Sequence, residues 1–558
     1  MPPSACWTCR LRRKKCNRAR PICSSCAELS ITCHYSATKP DWMDGGDKQQ
    51  DMARAIKAQV KQSASSRKES NLKIKVFATE SNQVSHISPS EKPRSFTAGK
   101  SSPSAKTPAS DNAHEGYPTV DTSDDFFITL YLDTVFPVLF PWYQPPALSG
   151  GRSWILVVLK ANKAIFHTTM SLSLYYFTLL IAKEASHTVR TPCEQYVWDS
   201  LAKHVDTSMQ VIRRDMDNLN TTKQTDVFQR ASALEGVVQL LILETAMATG
   251  ADWDVHLSAA VAVFTDIFRE HGTRDGVCHL PSVDMAMHKP SILDSIRLSV
   301  PVLDPNQAAL RFYSAILIYA DIISSVSLGT APRLRYCYRG LIEDMHEEPK
   351  SADGPGRTLQ MENYIGCQGW VLLLVGEISA LDAWKRSVSP KSRTCEAEEL
   401  EQRSRVLELK LQHGEDVLKE RSRSYLNASA RKQVSVTEVW IHAAKIYLST
   451  VKKGWDPNDP VIRSNVESAL LFLGQLSPEL CLRSLLWPLC VSGFLATPEQ
   501  EPLFREYLSA LGPLKAFGAA RQALQLLERV WGLRGQLGRE EWGMSDCFEV
   551  GGKRVLLL

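Results

Sequence analysis

The chain has 558 residues, 65 Lys or Arg against 61 Asp or Glu, and a formal net charge of +4. A composition that is 44% hydrophobic and 23% charged is that of a folding protein and excludes a chain disordered throughout. No apolar run reaches the roughly 18 residues of a bilayer span, Ser171–Ala182 being the longest candidate, so a membrane partner is not expected.

The first element is an array of six cysteines, Cys6, Cys9, Cys16, Cys23, Cys26 and Cys33, spaced C-x2-C-x6-C-x6-C-x2-C-x6-C. Two cysteines separated by two residues can turn both sulfurs toward one ion, and zinc prefers four thiolates in a tetrahedron. Two tetrahedra need eight positions, so six thiolates suffice only if two of them bridge. The first cysteine of each half-motif, Cys6 and Cys23, is the natural bridge. One zinc then takes Cys6, Cys9, Cys16 and Cys23, and the other Cys6, Cys23, Cys26 and Cys33. The competing reading is a disulfide framework. Met1–Ala5 has neither the charged start nor the apolar stretch of an export signal, which favours a reducing compartment and free thiols. So small a module has too little apolar surface to fold alone, and structural zinc contributes about 10–16 kcal/mol in comparable domains.

Between Cys9 and Cys16 runs Arg10-Leu11-Arg12-Arg13-Lys14-Lys15, and Arg20-Pro21-Ile22 precedes Cys23. This array, basic run and proline resemble the fungal binuclear zinc cluster transcription factors, whose signature is C-x2-C-R-x-R/K-K-x-K-C. Lys39-Pro40-Asp41-Trp42-Met43-Asp44-Gly45-Gly46 resembles a stretch that follows the cluster in one branch of that family. Arg13 stands where many members carry lysine, and Asn17 where aspartate is common. The resemblance implies a short helix at Arg10–Lys15 with its end in the major groove of double-stranded DNA and a CGG-like triplet as target. It places base reading at Arg13, flanked by Arg12. Arginine pairs well with guanine O6 and N7. Arg10, Lys14, Lys15, Arg18 and Arg20 then contact phosphates, which position without specifying.

Residues 1–35 hold seven Arg or Lys and one Glu, a formal +6. Six thiolates and two zinc ions leave about +4 on this small module, which is the electrostatic footprint of a nucleic-acid binder. The same run reads as a nuclear import signal. RNA is the weaker target, because Trp7 is the lone aromatic near the run and is expected to pack on the cluster.

The binuclear cluster domain is assigned to residues 1–36, a linker with a short helix to 37–78, and a disordered linker rich in Ser, Pro and Thr to 79–123. Asp47–Lys61 carries Met52, Ile56 and Val60 at helical spacing before Ser63-Ala64-Ser65-Ser66. It reads as a solvated basic helix rather than a zipper.

Residues 124–558 read as a large all-α domain of stacked helical hairpins. Apolar residues recur at three- and four-residue steps in Phe126–Leu139, Thr168–Ala185, Gln195–Leu219, Asp226–Met247, Ala308–Ser327, Gln360–Leu381, Glu396–Lys419 and Ser435–Val451. Asp304-Pro305-Asn306-Gln307 and Thr497-Pro498-Glu499-Gln500 each combine an N-cap, Pro at N1 and Gln at N3, and Asp459-Pro460 offers the same cap. The segment Phe126–Leu132 with Phe136-Pro137, and the tail from Trp542 to Leu558, resemble the fungal-specific regulatory domain that accompanies the cluster. That resemblance implies a regulatory role and transcriptional co-regulators as partners, with a homodimer left open.

No GxSxG, GxxxxGK[ST], HExxH or GxGxxG motif is present, so an enzyme is not expected. The remaining cysteines, Cys193, Cys278, Cys337, Cys367, Cys395, Cys481, Cys490 and Cys547, form no C-x2-C pair and read as buried thiols. The acidic-aromatic stretch Glu540–Glu549 reads as closing packing of the last helix rather than an activation segment. The sequence therefore points to a nuclear, zinc-dependent regulator of RNA polymerase II genes that reads specific DNA, with a secondary-metabolite gene cluster among the expected targets. The alternative is a helical metabolite-binding or metal-sensing protein whose cluster is not a specific DNA reader.

Overall fold

The computed structural model describes residues 5–16, 23–27, 32–34, 39–68, 122–146, 150–184, 192–221, 225–248, 253–289, 303–342, 358–387, 393–423, 427–476, 478–511, 517–536, 538, 542–550 and 552–558. The expected disordered linker lies outside them except for residues 122 and 123.

Among the described residues, three helices precede that linker: α1 (Trp7–Leu11), α2 (Ser24–Ala27) and α3 (Asp47–Lys68). The large domain opens with α4 (Thr122–Leu130), a π-helical turn (Tyr131–Val135) and α5 (Phe136–Leu139), one continuous path. The π turn shifts the hydrogen bonding immediately before Pro137, which has no N–H to give. Then follow α6 (Ser153–Ala161), α7 (Lys163–Glu184), α8 (Pro192–Thr221), α9 (Val227–Met247) and α10 (Trp253–His271). A hairpin of β1 (Thr273–Arg274) and β2 (Val277–Cys278), paired antiparallel, is the only sheet among the described residues. The chain continues with α11 (Leu280–Ala286), α12 (Pro305–Leu328), α13 (Arg335–Leu341), α14 (Glu362–Ile365), α15 (Gly369–Ser387) and α16 (Arg393–Ser422). It closes with α17 (Ala428–Lys453), α18 (Pro460–Leu473), α19 (Pro478–Phe494), α20 (Glu501–Ser509), α21 (Gly518–Leu533) and α22 (Met544–Glu549).

Consecutive helices pair, α7 with α8, α9 with α10, α15 with α16 and α17 with α18, and the central α12 touches α6, α9, α10, α15 and α22. α12 is long and apolar enough to cross a bilayer, yet its whole apolar window is enclosed by protein. Its start is the predicted capping box: Asp304 Oδ1 accepts from Asn306 N at 2.7 Å, and Asp304 N donates to Gln307 Oε1 at 2.9 Å. Aromatic rings of the opening segment, Phe136, Phe140 and Tyr143, meet Phe312 of α12 at 4.8–5.5 Å between centroids. Farther along, Trp440 stacks on Trp487 at 4.9 Å. The C-terminal tail is core, with Leu556, Leu557 and Leu558 buried and the Trp253 indole donating to the Arg554 carbonyl at 3.0 Å. Met544, Cys547 and Phe548 of α22 are buried too, in keeping with the packing reading of that stretch; Glu540 and Glu541 lie outside the described residues.

The helix expected over Gln360–Leu381 is split into α14 and α15, because Gly366 takes φ +78° and the Trp142 ring lies where its Cβ would be, at 2.3 Å. The linker helix is not simply solvated. It runs to Lys68, lies against α8, and buries Ile56 in the small core formed by the N-terminal cysteines.

Candidate metal centre and nucleic-acid interface

Each C-x2-C pair opens a helical turn. Cys6 caps α1, its sulfur accepting from Cys9 N at 3.3 Å, and Cys26 N donates to Cys23 O at 3.0 Å at the start of α2. Both turns aim their sulfurs at one another. Cys6 Sγ lies 3.7 Å from Cys23 Sγ and 3.8 Å from Cys26 Sγ, and Cys9 Sγ lies 3.6 Å from Cys23 Sγ. A zinc tetrahedron with Zn–S bonds of about 2.3 Å has edges of about 3.8 Å, which these separations match. A disulfide needs about 2.05 Å, and all six cysteines are free, so the disulfide alternative falls away. The sulfurs of Cys6, Cys9, Cys16 and Cys23 lie within 4.8 Å of one another, as do those of Cys6, Cys23, Cys26 and Cys33. The two sets share Cys6 and Cys23, and the six thiolates fit two zinc ions.

Polar contacts lace the module around this cage. Thr8 Oγ1 donates to Thr32 O at 2.8 Å and accepts from His34 N at 3.0 Å, while Trp7 N donates to His34 O at 2.8 Å. Ser25 Oγ donates to Lys15 O at 2.9 Å, tying the end of the basic run to the second half-motif. The apolar floor comes from outside the array: Ile56, 2% exposed, joins Cys6, Cys9, Cys23 and Cys26, with Leu11 and Met52 packed against them. Sequence reasoning had the signal, the spacing of Met52 and Ile56, but not the surface they cover.

The basic run is not the helix expected over Arg10–Lys15. α1 begins one residue after its cap at Cys6 and ends at Leu11. Arg13 N donates to Arg10 O and Lys14 N to Cys9 O, at 3.1 and 3.0 Å, and Arg13 takes φ +53°. This is a Schellman ending, with arginine where glycine is the easy residue. Arg10 is exposed with its guanidinium 4.6 Å over the ring of the half-buried Trp7. Arg12 is half-buried; Arg13, Lys14 and Lys15 are exposed. Arg18, Arg20 and Pro21 lie outside the described residues. Of the other cysteines, Cys278, Cys337, Cys367, Cys490 and Cys547 are buried and free; the side chains of Cys193, Cys395 and Cys481 lie outside the description.

Comparison with known proteins finds two family matches. Residues 4–42 match the family described as the fungal Zn(2)-Cys(6) binuclear cluster domain. Residues 126–558 match the fungal specific transcription factor domain. Over its whole length, and all of the relative's, the chain is 30% identical to transcription factor dibT of Pestalotiopsis microspora. It is 27% identical to the pestheic acid cluster transcriptional regulator 3 of Pestalotiopsis fici, covering 99% of this chain and 98% of that one. It is 26% identical to the ustiloxin B cluster transcription factor ustR of Aspergillus flavus, covering 91% and 90%. No solved structure matches the chain. With its six sulfurs set for two zinc ions, the chain belongs to the fungal Zn(2)-Cys(6) binuclear cluster transcription factors and is a DNA-binding regulator of transcription, not an enzyme.

Proposed function

We infer that the protein acts in the nucleus, reads a G-rich, CGG-like triplet through the basic run, and controls the genes of one secondary-metabolite cluster. Residues 1–36 are the reading module, 37–78 and 79–123 its connection, and 124–558 the regulatory domain. One zinc takes Cys6, Cys9, Cys16 and Cys23, and the other Cys6, Cys23, Cys26 and Cys33. Arg13 reads a base, with Arg12 beside it. Arg10, Lys14, Lys15, Arg18 and Arg20 lie along phosphates. Transcriptional co-regulators dock on the helical domain, and a homodimer would place two modules on paired triplets. Support for the target class comes from the relatives, whose names tie them to the pestheic acid and ustiloxin B clusters.

The observation that carries the base-reading role is the backbone of Arg13, exposed and left-handed at φ +53°. A non-glycine residue there costs about 1–2 kcal/mol, so retaining a long cationic side chain needs a reason beyond the fold. In vitro DNA selection with the full chain tests this. Wild type should return a triplet and a spacing. Arg13→Ala should lose roughly 1–3 kcal/mol on the selected site and relax one base position. An unchanged preference in Arg13→Ala removes Arg13 from base reading.

A further inference from the structure

We propose that the groove between α13, α15 and α16 binds an amphiphilic organic anion, a small apolar body carrying one carboxylate. This site is separate from DNA reading and does not rest on it. The groove encloses about 520 Å³, within the range of small-ligand sites. Trp370, Leu374, Leu381 and Leu407 form its apolar floor, each less than a tenth exposed, and Val406 stands at the rim with 48% exposure. The Trp370 ring is held in place from two sides. Its indole N–H donates to Gln368 Oε1 at 2.7 Å, and its far edge lies against Gly414 of α16, where a Cβ would come within 2.3 Å.

The charges of the groove are unequal. Four cations, Arg335, Arg339, Arg403 and Lys410, face two carboxylates, Glu377 and Glu399. Arg335 is engaged by Glu377, with Nε donating to Oε1 at 3.0 Å. Arg403 is engaged by Glu399 and lies 4.5 Å over the Trp384 ring. Arg339 and Lys410 have no hydrogen bond or ion pair among the described residues. Two uncompensated cations above a fixed apolar floor define the occupant's chemistry. A neutral hydrocarbon would leave the cations unmatched, and a bare inorganic anion would leave the floor wet. An apolar carboxylate satisfies both.

The test uses the purified full chain, zinc-loaded, with anilinonaphthalene sulfonate as fluorescent probe and decanoate or decanol as competitor. Decanoate should displace the probe at a concentration at which decanol does not. The double variant Arg339→Glu, Lys410→Glu should weaken decanoate roughly tenfold, about what two partly exposed ion pairs supply. Its melting midpoint should stay close to that of wild type, because neither side chain makes a hydrogen bond or ion pair among the described residues. Val406→Glu, at the exposed rim, should weaken decanoate as well. Equal displacement by decanoate and decanol, or unaltered decanoate binding in both variants, overturns the assignment. DNA affinity measured on the same samples should not follow the groove variants, which keeps this outcome distinct from failure of the DNA-reading role.

Discussion

Cys6 Sγ and Cys23 Sγ lie 3.7 Å apart, and both belong to each of the two four-sulfur sets. Losing a shared sulfur opens both tetrahedra, whereas losing an outer one opens a single set. Cys23→Ser should therefore reduce bound zinc from two equivalents to less than about one and abolish specific DNA binding. Cys16→Ser should retain about one equivalent. Elemental analysis of the purified full-length variants decides it; equal metal loss in both would mean that the sulfurs are not shared.

Ile56 contributes an apolar wall to the metal module from a helix far along the chain, and it is 2% exposed. Ile56→Ala leaves a void among the ligands, and buried Ile→Ala changes cost roughly 2–5 kcal/mol. The readout is zinc release to a chelator, which should quicken by at least tenfold. Lys57→Ala, an exposed neighbour, should leave the rate unchanged.

Arg311 and Asp284 form an ion pair inside the helical domain, with Arg311 Nε 3.1 Å and Nη2 2.5 Å from Asp284 Oδ2 and both side chains about one-tenth exposed. Arg311→Met strands a buried carboxylate and should cost about 3–5 kcal/mol. Replacing both partners, Arg311→Met with Asp284→Leu, should recover much of that loss. Denaturant melts of the four proteins measure it; additive losses would show that the pair does not act as a unit.

Burial pushes the Glu235 carboxyl up to about 8, against a hydrogen bond with Asn162 that favours the ionised form. Its proton is kept in the fold and lost from the unfolded chain as pH rises from about 4.5 to about 8. Stability therefore falls across that window, and the penalty is complete above it. Glu235→Gln removes the penalty, so its melting midpoint should gain on wild type steadily from pH 5 to 8, by up to about 4 kcal/mol in stability. Glu438, raised to about 7 by burial, adds a similar slope to both proteins and cancels in the difference. A gap between the two proteins that does not change with pH would show that Glu235 is ionised in the fold.

What could be read in the sequence was whatever depends on neighbours along the chain. The cysteine spacing located both sulfur sets because each pair needs only one turn. The Asp304 and Asp459 caps appear with the predicted bonds, Asp459 Oδ1 accepting from Val461 N at 2.9 Å. At Thr497 only half of the box forms: Thr497 N donates to Gln500 Oε1 at 3.0 Å, but α20 starts later, at Glu501. What stayed hidden depends on distant partners. Gly366 ends its helix in a left-handed turn at which the Trp142 ring leaves no room for a side chain, Ile56 is buried because the cysteines lie beneath it, and the groove exists only where three helices meet. The end of α1 was local but misplaced, since no glycine marks it and Arg13 takes the left-handed position.

That arginine sets up a contrast with its neighbour. Lys14 is exposed and makes the backbone bond to Cys9 that completes the turn, so its side chain is free to meet a phosphate without being aimed at a base edge. Lys14→Ala should weaken every duplex alike and lower the slope of log affinity against log salt by about 1. Arg13→Gly should relieve the strained backbone and stabilise the module by about 1 kcal/mol while flattening the sequence preference. Titrations on the selected site and a scrambled duplex, each at several salt concentrations, separate the two. If Lys14→Ala changed discrimination between the duplexes, or Arg13→Gly lost affinity equally on both, the division between base and phosphate contacts would be wrong.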